Sequence, residues 1–198
     1  EIEVGDWSSD VCSSDLADIT IHCAGCVRAF GRRDYFTINT EYTKNLCNAV
    51  LKANPGMKKF IFISSQAAMG PGRAGAFRKV EEEENPVSDY GLSKAAAEKE
   101  IKKLFSGKIK YTILRPAAVY GPGDKDIFIF FNLVNKRLRL FTVKKRFLQL
   151  VYVKDIAEAA AASIENSVSG DKTYYLAHET PYTWDEIGRV ISKAAGRP

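Results

Sequence analysis

Tyr90-Gly-Leu-Ser-Lys94 places a phenol and an ammonium four residues apart, on one face of any helix that contains them. A free tyrosine, with a pKa of about 10, is a poor base at neutral pH. A neighbouring ammonium favours the phenolate and is expected to pull that value down. The phenol could then take the proton of a hydroxyl as hydride leaves the same carbon, or return it in the reverse direction. Alone the pair says little: with 9 tyrosines and this many lysines, roughly one such spacing arises by chance, as exposed helical neighbours. Ser64 and Ser65 stand paired at the end of an apolar run upstream.

The elements that must position these groups follow from periodicity. Residues 17–23, Ala-Asp-Ile-Thr-Ile-His-Cys, alternate and are β-branched, which predicts a short strand running into the tight loop Ala24-Gly25. From 34 to 53, Phe36, Ile38, Leu46, Val50 and Leu51 recur at helical intervals, and Asn54-Pro55-Gly56 stops the helix. Lys59 to Ser64 is nearly all apolar, as in a strand buried on both faces. A long connection from 67 to 89 follows, containing Glu81 to Glu84; loops of that length are usually functional or mobile.

Next come a helix over 90–105, a strand over 110–115, a loop ending in Tyr120-Gly-Pro-Gly-Asp124, a strand over 148–153 and an Ala-rich helix over 154–166. Residues 172–176 and a helix over 183–195 read as the start of a smaller lobe. Strands alternating with helices predict an α/β fold with a parallel sheet and right-handed crossovers. Such sheets bind ligands outside the carboxyl ends of their strands, where His22-Cys-Ala-Gly25, Ser64-Ser65 and Arg115-Pro116 all fall.

Composition narrows the function classes. With 198 residues and 45 % apolar content the chain can bury one core, and no apolar run approaches the ~20 residues that span a bilayer. No membrane role and a cytoplasmic setting are therefore expected. The net charge of +5 hides an asymmetry: Glu1, Glu3, Asp6, Asp10 and Asp15 are unopposed in residues 1–16, so 17–198 carry +10. The densest basic run, Lys136 to Arg146, has no nucleic-acid motif beside it and reads as a solvated face, so no nucleic-acid partner is expected. Cys23-Ala-Gly-Cys26 could be a redox pair or half of a zinc site, but the further ligands that zinc requires are wanting. Two small half-buried thiols at a strand end is the favoured reading, and no metal is expected.

Residues 6–16, Asp-Trp-Ser-Ser-Asp-Val-Cys-Ser-Ser-Asp-Leu, lack periodicity and resemble the translation of a common sequencing-library adapter. Residues 1–16 are accordingly expected to be a non-native leader, with the authentic domain at 17–198 and substrate-lobe parts at about 121–147 and 168–198.

The ordered motifs resemble those of the extended short-chain dehydrogenases/reductases of the NAD-dependent epimerase/dehydratase type. The matching segments are Ile21-His-Cys-Ala-Gly25, Asn39 in Ile-Asn-Thr, Ser64-Ser65, Tyr90-Gly-Leu-Ser-Lys94, Leu114-Arg-Pro-Ala-Ala-Val-Tyr-Gly-Pro-Gly-Asp124 and Val151-Tyr-Val-Lys-Asp155. The resemblance implies a truncated Rossmann-type parallel sheet with a partial C-terminal substrate lobe. It implies Ser65, Tyr90, Lys94 and Asn39 as catalytic residues, Ser65 holding the reacting oxygen and Asn39 shaping the site. It implies that His22, Cys23, Ala24, Gly25, Ser64, Tyr90, Lys94, Pro116, Ala117 and Val119 border NAD or NADP, whose oxidised ring would further favour the phenolate. A small-molecule substrate and a homodimer follow from it as well.

The departures bear on activity. After Asn39 the usual Gly-Thr is replaced by Tyr42-Thr43, and the family's Gly-x-x-Gly-x-x-Gly loop, which cradles the pyrophosphate at a helix N-terminus, is not among these residues. Residues 17–198 alone are therefore expected to bind a dinucleotide poorly and to be inactive. Arg146 could pair with the pyrophosphate of a nucleotide sugar. The function expected of the parent is NAD(P)-dependent chemistry on a secondary alcohol or ketone, a nucleotide sugar being one substrate class. Reduction of a steroid- or flavonoid-like ketone is the alternative enzyme, and a non-catalytic binding or assembly subunit the alternative of another class.

Overall fold

The computed structural model describes residues 17–72, 77–135, 147–194 and 196. The expected leader 1–16 and the basic run with Arg146 lie outside the described residues.

Four parallel strands form the main sheet in the order β1-β2-β3-β7: β1 (Ile19–His22), β2 (Lys59–Ile63), β3 (Lys110–Pro116) and β7 (Lys172–Leu176). The run Phe60-Ile-Phe presents nothing polar to either face, and all three side chains are fully buried. Helices α2 (Tyr42–Ala53) and α3 (Asp89–Phe105) cover one face, where Phe60, Phe62 and Ile113 meet Cys47, Val50, Ile101 and Phe105. The other face, with Ile61 and Leu114, packs on Ala160 of α5 (Val153–Glu165). Helices on both faces are what allow a parallel sheet to bury its whole width. The α/β parallel architecture legible in the sequence is therefore the one observed.

Three segments depart from their sequence reading. The helix expected over 34–53 is built from α1 (Arg32–Phe36), a π-helical turn (Thr37–Glu41) and α2, and the wide turn carries Asn39 inward to 1 % exposure. The strand expected over 148–153 is two short strands that change partners at Gln149. Of these, β5 (Phe147–Leu148) runs antiparallel to β8 (Tyr182–Thr183), and β6 (Leu150–Tyr152) runs parallel to β4 (Ala118–Tyr120). Residues 172–176, assigned to a smaller lobe from sequence, instead complete the main sheet as β7, because Thr112 to Pro116 of β3 offer them a free ladder edge. Helices α4 (Asp126–Asn135) and α6 (Trp184–Ala194) pack together outside that sheet. Among the described residues no helix is long and apolar enough to cross a membrane.

Candidate functional site

Helix α3 starts where its sequence dictates. Ser88 is extended, and its hydroxyl accepts the Gly91 amide at 3.1 Å, a side-chain N-cap, while Asp89 sits in the positive first turn. That first turn lies against the 3₁₀ turn Gln66–Ala68, which leaves β2 through Ser65. Gly91 makes the approach feasible: a Cβ there would stand 2.3 Å from the Ala67 carbonyl oxygen. The glycine of Tyr90-Gly-Leu-Ser-Lys94 thus lets the phenol reach Ser65.

The Ser65 hydroxyl favours ionisation of the phenol, and its oxygen accepts the Ala67 amide at 3.1 Å. Burial raises the Tyr90 phenol above its ordinary value, against a lowering by the Ser65 hydroxyl; Tyr35, whose ring lies 6.2 Å away, and Cys26 add small upward pushes. The expectation that Lys94 pulls the phenol down is therefore corrected for this state, in which desolvation dominates. Lys94 is 3 % exposed; its ammonium donates to the Ile63 carbonyl at 2.8 Å and lies 4.1 Å from the centre of the Phe62 ring. Burial lowers it to about 8, with Glu98 and Cys23 opposing the fall.

These residues open on one cleft of about 770 Å³ at the carboxyl ends of β1, β2 and β3. Of the residues singled out from sequence, Cys23, Gly25, Ser64, Ser65, Tyr90, Lys94, Pro116, Ala117 and Val119 line it. His22, Ala24 and Asn39 do not. Asn39 stands behind the wall and fixes it: its amide accepts the Cys26 N–H at 2.7 Å and donates to the Cys26 carbonyl at 3.0 Å and to Ser93 at 2.9 Å. Gly25 threads this gap, and a Cβ on it would lie 3.2 Å from the Asn39 side-chain oxygen.

His22 turns away from the cleft. Thr43 spends its proton on the Asn39 carbonyl at 2.8 Å, so the His22 Nε2–H donates to Thr43 at 2.8 Å, and the ring stacks on Phe62 at 5.4 Å. Burial, then the charge of Lys94, pushes its pKa down to about 4, which keeps the ring neutral. The Ser64 hydroxyl is likewise committed elsewhere, to Glu98 at 2.5 Å. Cys23 is exposed and Cys26 half-buried, both as free thiols, and among the described residues no group of three His, Cys, Asp or Glu side chains could hold a metal ion.

Sequence reasoning missed the far wall, where Val153, Ile156, Ala157 and Ala160 of α5 face the cleft. Their i, i+3, i+4, i+7 spacing was an available signal. It also missed Glu98, the buried carboxylate that joins Ser64 to Arg115. A second cavity, of about 730 Å³, lies among β4, β6, α4 and α6 and is lined by Tyr120, Tyr152, Tyr175, Tyr182, Leu150 and Ile191, among others.

Comparison with known proteins follows the same lines. A model of the NAD dependent epimerase/dehydratase family matches residues 2–177. A UDP-glucose 4-epimerase from Vibrio cholerae is 30 % identical over 193 residues, covering 91 % of this chain and 58 % of its own length. A ceramide reductase from Caulobacter vibrioides is 26 % identical over 182 residues, covering 91 % of this chain and 51 % of its own. The chain thus spans little more than half the length of these relatives. Among solved structures, a UDP-glucuronic acid 4-epimerase from Bacillus cereus in complex with NAD shares the fold, with a TM-score of 0.79 and 23 % identity over 91 % of this chain and 60 % of that one.

Proposed function

The chain belongs to the NAD dependent epimerase/dehydratase family, and from that premise we propose that the full-length protein moves hydride between a nicotinamide and a secondary alcohol or its ketone. One observation carries the reading: Ser65, Tyr90 and Lys94 line a single cleft.

The residues present fit the nicotinamide end of a dinucleotide. Ile21, Ile63, Pro116, Ala117 and Val119 offer an apolar wall for a flat ring, and Gly25 keeps the backbone beneath it free of side chain. When bound, NAD or NADP supplies the acceptor or donor of hydride. Tyr90 takes the substrate's hydroxyl proton in oxidation and returns it in reduction. A raised phenol suits the donating direction, since it holds its proton at neutral pH. Ser65 donates to the reacting oxygen and fixes it within reach of the phenol. Lys94 places a positive charge beside the phenolate that forms, where low dielectric strengthens its effect.

A nucleotide sugar is the substrate class we favour, by analogy with the epimerase relative. The second cavity favours a competing reading. Among its described lining residues stand four tyrosines and several aliphatic side chains, with Asp155 and Glu179 but no lysine or arginine. That lining suits an apolar ketone better than a diphosphate, as does the likeness to a ceramide reductase. Two copies pairing through α2 and α3, and a reducing cytoplasmic setting for the free thiols, complete the proposal.

The test is turnover by the full-length protein on a panel of UDP-sugars and sterol ketones, followed by nicotinamide absorbance for net oxidation or reduction and by product analysis for epimerisation, which returns the hydride, with Tyr90→Phe alongside. Loss of about 10²–10⁴-fold in the variant is expected. An intact protein with no turnover on any of the panel would favour a binding or assembly subunit instead.

A further inference from the structure

We infer that Glu98 is a positioning residue of this site: its buried carboxylate locks the end of β2 against helix α3 and so decides where Ser65, Tyr90 and Lys94 stand. The inference rests on the hydride-transfer reading of the cleft.

Three consecutive residues at the end of β2 each face one residue of α3. The Ile63 carbonyl accepts from Lys94 at 2.8 Å, the Ser64 hydroxyl donates to Glu98 at 2.5 Å, and Ser65 shares the cleft wall with the Tyr90 phenol, whose ionisation it favours. Tyr90, Lys94 and Glu98 follow at i, i+4 and i+8, one stripe of the helix. Two of these three pairs belong to the proposed chemistry. The third ties Ser64 of the cleft wall to a group with no route to the substrate, for Glu98 is 0 % exposed and absent from the cleft lining.

What Glu98 does is join strands. Arg115, itself 1 % exposed, meets it with both prongs: Nε donates to Oε1 at 2.9 Å and Nη2 to Oε2 at 2.6 Å. Arg115 immediately precedes Pro116 and Ala117 of the cleft wall. Its Nη2 also donates to Glu84 at 2.6 Å, which ties in the long connection between β2 and α3. Ser64 is held a second time by its amide, which donates to the Leu114 carbonyl of β3 at 2.7 Å. With Ser64 fixed at backbone and side chain, the direction in which Ser65 leaves the strand is fixed too.

An ion pair this deep is a poor choice for stability alone, since a well-packed apolar replacement is often as stable or more so. A bidentate pair does impose direction, which apolar packing does not. Glu98 also opposes the loss of the Lys94 proton. Lys94 is faced by His22 and Cys23 from the β1 side, by the Ile63 carbonyl and Phe62 ring of β2, and by Glu98 on its own helix. Glu98 is faced by Ser64, Arg115, Lys102 at 3.8 Å and, from β7, Tyr175.

The experiment uses the full-length protein and compares it with Ser64→Ala and with the double variant Glu98→Leu/Arg115→Met, which removes both buried charges together; Glu84 keeps its ion pair with Lys99, and the Ser64 hydroxyl loses its acceptor. We expect both to melt within a few degrees of the parent. We expect kcat to fall about 10- to 100-fold with KM changed less than about 2-fold, the cost of misplacing reacting groups by a fraction of an ångström to an ångström. In the double variant the alkaline limb of the pH–rate profile moves to lower pH, and so does the titration of Lys94 followed by pH-dependent amine labelling. Unchanged kcat in Ser64→Ala, or an unmoved Lys94 titration in the double variant, overturns the inference. If the double variant does not fold, Ser64→Ala decides by itself. A Tyr90→Phe protein as active as the parent would remove the hydride-transfer reading, and the Lys94 titration would still decide whether Glu98 governs this helix face.

Discussion

The two ends of β2 each bury a lysine, and the contrast between them separates structure from chemistry. At the amino end Lys59, 6 % exposed, gives its three protons to the Ser163 carbonyl, the Asn166 carbonyl and the Ser169 hydroxyl, at 2.5, 2.8 and 2.7 Å. Every donor of the ammonium is used, two of them on carbonyls at the end of α5 that have no helical partner. At the carboxyl end Lys94 makes one hydrogen bond among the described residues, to Ile63, and otherwise faces an aromatic ring and the cleft. A buried cation with all donors satisfied is a cap. One with donors left over, beside a phenol and a serine, can act on something else.

The largest effect that would break this contrast is on activity. Lys94→Met in the full-length protein should reduce hydride transfer by about 10²–10⁴-fold, as for loss of a group assisting proton transfer, with circular dichroism unchanged. Activity within a few-fold of the parent would reduce Lys94 to a second cap. Gly91→Ala should come next. Its methyl meets the Ala67 carbonyl, so the start of α3 must shift, costing about 1–3 kcal/mol by chemical denaturation and separating Tyr90 from Ser65. A turnover loss of about 10²-fold should accompany that shift. Lys59→Met should leave turnover per folded molecule untouched and lower stability by about 1–3 kcal/mol, the cost of losing three buried charge-assisted hydrogen bonds. A catalytic defect there would erase the distinction between the two ends.

The finest test is pH. Lys94 stands at about 8 in the folded chain against an ordinary value of 10.5. Activity that depends on its charge should fall as pH rises through about 8. Stability should move the other way: between 8 and 10.5 the unfolded chain binds more protons at this group, so Lys94 contributes increasing stability across that window. Lys59, also lowered by burial, acts with the same sign. Lys94→Arg, which holds its charge through this range, should shift the alkaline limb upward even if its maximum is lower. A limb that stays near pH 8 in that variant belongs to another group.

Much of this was legible from spacing. The apolar run at 59–63 read as a strand buried on both faces, while Tyr90, Lys94 and Ser65 stood out through the resemblance of the ordered motifs and not through spacing alone. What misled was partnership. Residues 172–176 gave no sign of which sheet they would join, since a short alternating run fits any open ladder edge. His22 looked like a cleft residue because it ends a strand, yet the neighbour that takes its proton, Thr43, lies 21 residues away on a helix. The π turn at Thr37–Glu41 leaves no mark in an otherwise helical pattern, although it is what turns Asn39 toward Cys26.

The sequence by itself therefore determined which chemistry this chain can hold, because residue type sets acid–base character and local spacing sets the face of a helix. Only the tertiary structure decided which of those groups are free to use it. Burial raised Tyr90 and lowered Lys94, three acceptors occupied Lys59, and Glu98 with Arg115 engaged Ser64 and left Ser65 to the cleft. Each of those outcomes depends on desolvation and on partners distant in sequence, which exist only once the sheet and its helices have closed around them.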